Sequence, residues 1–362
     1  MRRALLIIMC AAWTLVLSGC GSLFSGHWDM EHLRPVQAAG LDAEEDGAVT
    51  LSVCTGAGPG DEDPLALRGT ASGIEAAADR LQDWAPGDEL FYAHIRWLLL
   101  GEDMAGNGLG RTMDWVERSP AMRMETPLFI VRGRADVLLE QPNAAESLAS
   151  LEREEKVRGG NPPTLRQAAA GVLERGWALC LAVEVVPTEG TVMASDGAAV
   201  VPAGLALLRE GQPPVFLSRN EALGAALMDR SVDGTHVPLD GSEVELFGGG
   251  GAKAEGLWTG RTLTGLRIRC ELQAGILERK SDADDRTVLT DRLAETLTAC
   301  LTDAVRLSQA LGCDFLGLED AVRASAPDRS AARALDWDAV FPALPVTVTV
   351  EADVGREYDL VE

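Results

Sequence analysis

RTLTGLRIRCELQAGIL, residues 261–277, alternates with a period of two. Leu266, Ile268, Cys270 and Leu272 fall on one side, and Arg267, Arg269 and Glu271 on the other. That pattern is a strand with one buried and one polar face. RTVLTDRLAETLTACLTDAVRLSQAL, residues 286–311, changes the period. Leu289, Leu293, Leu297, Cys300, Leu301, Ala304 and Leu311 recur at helical spacing, and Gly312 supplies a stop just past the last turn. A short helix over 318–325 ended by Pro327, an apolar plug at 337–341 and a final alternating strand at 346–350 complete a strand–helix–strand unit. The last third is therefore of α+β type.

Towards the N-terminus the same reading gives unlike units. Gly248-Gly249-Gly250-Gly251 lacks both the strand-to-helix setting and the Lys-Ser/Thr of a phosphate loop, so it reads as a flexible turn before a strand at 252–258. A helix is expected at 220–228, and a hairpin of strands 198–208 and 215–217 turning at Glu210-Gly211. Residues 190–197 read as a linker. Before it come an apolar strand at 177–186, helices over 134–140, 144–156 and 164–175, and a strand at 127–131. Residues 94–100 form a strand buried on much of both faces, and Gly101-Glu102 then turns into a helix running to 118. Ser72 with Glu75 has capping-box spacing for a helix over 72–84, and a strand at 49–53 follows the acidic turn 42–47.

The first residues have a different character. Arg2 and Arg3 precede an apolar run at 4–17 broken only by Thr14, and Leu17-Ser18-Gly19-Cys20 follows. A positive start, a short apolar core and small residues before a cut site make an export signal over 1–19. The run is too short for a comfortable membrane span of about 20 residues. Small residues followed at once by Cys fit lipoprotein processing, in which the Cys20 thiol takes a diacylglyceryl group. A plain secretory signal with an incidental Cys, or an uncleaved anchor, is the competing reading. Two acyl chains suffice for stable anchoring at about 0.8 kcal/mol per buried CH₂. Residues 20–26 are small and read as a tether.

Hydrophobic residues at 46% and aromatics at 5% indicate a globular chain, and the formal net charge of −24 argues against nucleic-acid partners. Besides Cys10 and Cys20 the cysteines are Cys54, Cys180, Cys270, Cys300 and Cys313. They are sparse and form no CxxC pair, so they read as small buried hydrophobes. The histidines are His27, His32, His94 and His236, at no metal-site spacing. The acidic turn lacks the order and closing Glu of a calcium loop. Glu102, after His94 and Arg96, could be a general acid, but a helix start favours Glu through the helix dipole alone. No G-x-S-x-G, H-E-x-x-H or Walker sequence occurs. No catalytic residue, cofactor or metal is expected.

Several short pieces nevertheless stand in a definite order: Trp28-Asp29, Gly40-Leu41-Asp42, Ile74-Glu75-Ala76, Leu90-Phe91, Ala93-His94-Ile95 and Leu100-Gly101-Glu102. Met113-Asp114-Trp115, the run 118–123, Gly204-Leu205-Ala206, Asn220-Glu221-Ala222-Leu223-Gly224, the run 312–317, Trp337 and the run 341–346 complete the series. In this order the chain resembles the Ger(x)C family, the lipoprotein C subunits of spore germinant receptors. It departs from the family where Met30-Glu31-His32-Leu33 follows Trp-Asp, in the 313–318 stretch, and over 234–260. The resemblance implies a non-enzymatic ectodomain of three mixed α/β domains, with mostly antiparallel sheets and packed helices. It also implies membrane-embedded A and B partner subunits, an inner-spore-membrane location and a lipidated Cys20. The 93–95 and Glu102 positions could meet a partner subunit or simply pack the first domain. The domains expected are 27–190, 191–258 and 259–362, after the signal and tether. The small-molecule germinant is not named by any residue. A solute-binding lipoprotein of a transport system is the rival reading, and would call for two similar lobes around a cleft. A surface hydrolase has no constellation to support it.

Overall fold

The computed structural model describes residues 33–56, 65–85, 89–119, 122–157, 162–187, 198–229, 232–280 and 285–355. The export signal, Cys20, the tether, His27 and His32 lie outside them, as does the 190–197 linker.

The chain begins with an antiparallel run of β1 (Leu33–Ala43), β2 (Val49–Thr55) and β3 (Ala66–Ala71). After α1 (Ile74–Asp83) come β4 (Glu89–Phe91), a 3₁₀ turn at Tyr92–His94 and β5 (Trp97–Gly101). Next are α2 (Glu102–Asn107), α3 (Leu109–Arg118), β6 (Leu128–Val131), α4 (Ala135–Leu139), α5 (Ala144–Val157), α6 (Leu165–Arg175) and β7 (Trp177–Pro187). Strands β8 (Ala198–Arg209) and β9 (Gln212–Phe216) follow. Then α7 (Arg219–Asp229) leads to β10 (Thr235–Leu239), β11 (Ser242–Thr259) and β12 (Thr262–Glu278). The chain closes with α8 (Arg286–Ala310), α9 (Leu318–Ala324), α10 (Arg329–Ala334), α11 (Trp337–Val340) and β13 (Val346–Val354).

The first sheet has nine strands in the order β3-β2-β1-β5-β6-β7-β8-β9, with β4 also beside β1. Its centre, β1-β5-β6-β7, is parallel and its flanks antiparallel. Central parallel strands covered on both faces should be apolar throughout, and Trp97–Gly101 and Leu128–Val131 are buried at every residue. Leu98, Leu100, Leu128 and Ile130 face the cluster built with α1, α3 and α6. Trp97, Leu99, Phe129 and Val131 face the one built with α4 and α5. The second sheet, β10-β11-β12-β13, packs one face on α8, and its core takes in Leu207 and Leu217 from the end of the first sheet. The fold is α+β as expected, in mixed sheets whose antiparallel pairings outnumber the parallel ones only narrowly, six to five.

Several expectations are corrected in detail. Gly248–Gly251 is no turn: the glycines lie inside the 18-residue β11, at bulges opposite Leu272 and Glu271 of β12. Glycine in a strand marks such bulges, which let a long hairpin bend. Ser72 does not cap α1. Its N-cap is Gly73 without a side-chain bond, and Glu75 instead accepts the Trp115 indole N–H at 3.1 Å. The helix expected from 102 to 118 is broken at Gly108. Strand pairing also crosses two expected boundaries: β7 pairs with β8 across 190/191, and 258/259 falls within β11. A separate middle unit of 191–258 remains a proposal. Thr164 caps α6 in a full capping box with Gln167, and Gly312 ends α8 in the left-handed region, at φ 57°.

Candidate functional site

From β1 the chain runs outward through β2 and β3, and from β5 it runs the other way through β6 and β7. Open sheets hold ligands at the carboxyl ends of strands where the connections diverge in this way. Here that place is the end of β1 and β5, at Asp42 and Gly101.

Asp42 is 3% exposed at the end of the apolar stretch Ala38-Ala39-Gly40-Leu41. Its Oδ1 accepts the Ala135 N–H at 2.7 Å and its Oδ2 the Asp136 N–H at 2.9 Å, so it caps α4 from 93 residues away in sequence. Burial pushes its carboxyl up to about 6, against the two backbone bonds that lower it. Gly101 makes room for it: a Cβ there would stand 2.0 Å from Asp42 Oδ1. Glu102 donates its N–H to the Gly133 carbonyl at 2.8 Å and accepts the Gly133 N–H on Oε2 at 3.2 Å. The Gly-Leu-Asp and Leu-Gly-Glu pieces thus lock the ends of three neighbouring strands together.

Arg134 fills the middle of this edge. Its guanidinium bonds Glu44 at 2.8 Å and Asp136 at 2.9 Å, and lies 3.9 Å from Asp42. Those bonds raise its own pKa. Arg134 and Thr50 together hold Glu44 below the usual carboxylate range. Burial raises the Asp136 carboxyl, but the bonds and charge of Arg134, with the Val137 N–H and Arg68, together leave it lowered. Arg68 joins from β3, 3.0 Å from Glu140 and 3.7 Å from Asp136. Around them lies an open depression of about 1080 Å³, lined also by Glu45, Asp46, Thr70, Asp103 and Asn107. Both arginines are taken up by carboxylates of the same chain. Chemically the arrangement is a tie between the β1–β2 turn and α4, and among the described residues no cluster of His, Cys, Asp and Glu is fit to hold a metal.

The structure does not bring the other sequence candidates together. His94 is exposed in the 3₁₀ turn before β5, edge-on to Phe91 with centroids 5.3 Å apart, while Glu102 follows the far end of that strand. Cys54, Cys180, Cys270, Cys300 and Cys313 are free thiols, buried or half-buried, and burial raises the pKa of each. Raised thiols are poor nucleophiles. The motif at 312–317 is likewise a cap. Asp314 accepts the Leu318 and Glu319 N–H groups at 3.0 and 2.7 Å and so starts α9. In the 220–224 motif, Gly224 lets α7 touch α8: a Cβ there would lie 2.3 Å from the Cys300 carbonyl oxygen. No helix of the described residues is long and apolar enough to cross a membrane. The Arg134 tie was not anticipated. Its signal is an Asp at the end of that apolar stretch.

Comparison with known proteins gives two family matches. Residues 26–179 match the model described as "Spore germination protein N-terminal domain", and residues 264–357 that described as "Spore germination B3/ GerAC like, C-terminal". Among solved structures the fold is similar to one titled "Crystal Structure of the GerBC protein", with a TM-score of 0.54 and 15% identity. The likeness covers 87% of this chain and 96% of that one. No curated protein matches the chain.

Proposed function

Because this chain belongs to the Ger(x)C family of spore germination proteins, we propose that it is the lipid-anchored C subunit of a nutrient germinant receptor. In this role it is a non-enzymatic part, needed for assembly or signalling beside membrane-embedded A and B subunits. One observation carries the reading: the two family matches fall in order on the N-terminal and C-terminal parts of the chain. Other features support it. The sequence before β1 has the form of an export signal ending at Cys20. The best-placed cluster of charges ties the fold together instead of waiting for a substrate. The ectodomain then stands on the extracytoplasmic face of the inner spore membrane, held by acyl chains on Cys20.

The assembly claim is tested by tagging the full chain and extracting it from spore membranes in mild detergent. It should bring with it one large membrane protein with soluble ends and one permease-like protein of many spans. Recovery of the chain alone, or with a transport ATPase, would count against the receptor role.

A further inference from the structure

Strand β13 forms one margin of the four-stranded sheet. It reads Val-Thr-Val-Thr-Val-Glu-Ala-Asp-Val and pairs with β12 in unbroken parallel register from Leu266 with Val346 to Ala274 with Val354. Two bonds fix the sense of the ladder. The Leu266 N–H donates to the Pro345 carbonyl, and the Gly355 N–H to the Ala274 carbonyl. Odd-numbered residues therefore direct their backbone groups at β12, and even-numbered ones direct theirs outward. The outward N–H of Val354 donates to Thr290 Oγ1. The outward groups of Val346, Val348, Val350 and Ala352 have no strand beside them among the described residues.

The other sheet margins are blunted. Strand β3 is overlaid by α1, with Gly69 against the Ala77 carbonyl. Strand β9 carries Pro213 and Pro214 and lies under α2, and β10 is five residues long with Pro238 in it. Proline, lysine, bulges and covering elements are the usual protections of an edge. Among the described residues β13 has no Pro, no Lys and no bulge, and α8 packs on its face.

The charges beside this edge are mixed, but among the described residues two acids at one place have no basic partner. Glu351 and Glu271 are direct cross-strand neighbours, both exposed on the outer face. Like charges so placed are unfavourable. Beyond Glu271 the paired residue of β11 is Gly251, which offers no side chain. Arg267 and Arg269, opposite Thr347 and Thr349, both pair with Glu255, and Asp353 pairs with Arg286. We propose that β13 is a docking edge for one extended strand of another protein, with inward side chains apolar and a Lys or Arg beside Glu351. A second copy of β13 would add its own Glu351 and Asp353 to the same place, in a chain of net charge −24.

The test follows amide hydrogen exchange at Val348 and Val350 in the full-length protein, with a nine-residue peptide alternating valine and lysine as the probe. Exchange should be fast in the free protein and slowed by the lysine peptide. The same peptide with glutamate for lysine, or N-methylated at alternate residues, should have no effect. Glu351→Lys should weaken the lysine peptide about fivefold, the scale of one cross-strand charge pair, with its unfolding midpoint unchanged or raised. Glu351→Gln should give a smaller loss in the same direction. Three results would overturn the proposal: slow exchange at both amides in the free monomer, slowing that follows protein concentration alone, or no response to millimolar lysine peptide.

Discussion

At the scale of the residue, Asp42 holds the first sheet's working edge. Two buried N–H groups depend on it, and an unmet buried donor costs about 1–3 kcal/mol. Asp42→Ala should therefore lower the unfolding free energy by about that amount, read from urea titration; an unchanged midpoint would show that water replaces the carboxylate without loss. The pH dependence has a definite sign. Burial raises the folded carboxyl from 3.8 to about 6, so folding takes up a proton between those values. The pH-dependent part of the stability Asp42 contributes is complete below 3.8 and lost as pH rises through about 6. The margin of the wild type over Asp42→Asn should widen from pH 7 to pH 5, and a margin that narrows would contradict this assignment. Sequence points to Asp42 as part of an acidic turn and of the Gly40-Leu41-Asp42 piece, without a partner for it. Its partners, Ala135, Asp136 and Arg134, lie over 90 residues away, and no local pattern links them.

At the scale of the element, legibility followed burial pattern. The alternation in 261–277 and the helical spacing of 286–311 gave β12 and α8 nearly to their ends, because each has one apolar face. Strand β1 was missed. Its sequence, LRPVQAAGLDA, has one β-branched residue, and it is a strand because β2, β4 and β5 pair with it. The run Gly248–Gly251 in β11 misleads for the opposite reason: local freedom suggests a turn, and fifteen pairings with β12 hold a strand. The contact of α7 with α8 offers a test at this scale. Alanine favours a helix over glycine by about 1 kcal/mol. A Cβ at 224 would nonetheless press a backbone carbonyl and stand 2.8 Å from Ala304 Cβ. Gly224→Ala should destabilise by about 1–3 kcal/mol, as overpacking does, measured by thermal or urea unfolding. A gain in stability would mean that the two helices can part freely.

At the scale of the whole molecule, the proposed lipidation of Cys20 would join an acidic, two-sheet chain to a membrane. A stretch from Cys20 to Leu33 can reach at most about 45 Å when fully extended, so on the proposed lipidation of Cys20 the first sheet would stay near the bilayer. The family was legible in the order of short motifs, several of which prove to be caps and close contacts, and the fold class in the apolar periodicity. Partner surfaces were not, since an open strand edge is a property of the folded sheet. The most direct measurement is nutrient-triggered germination, with membrane fractionation, of spores whose sole copy of this chain carries Cys20→Ala. The account predicts loss of the chain from the spore membrane and a weak response to nutrients, both restored by the wild-type chain. Full membrane retention with normal germination would contradict it.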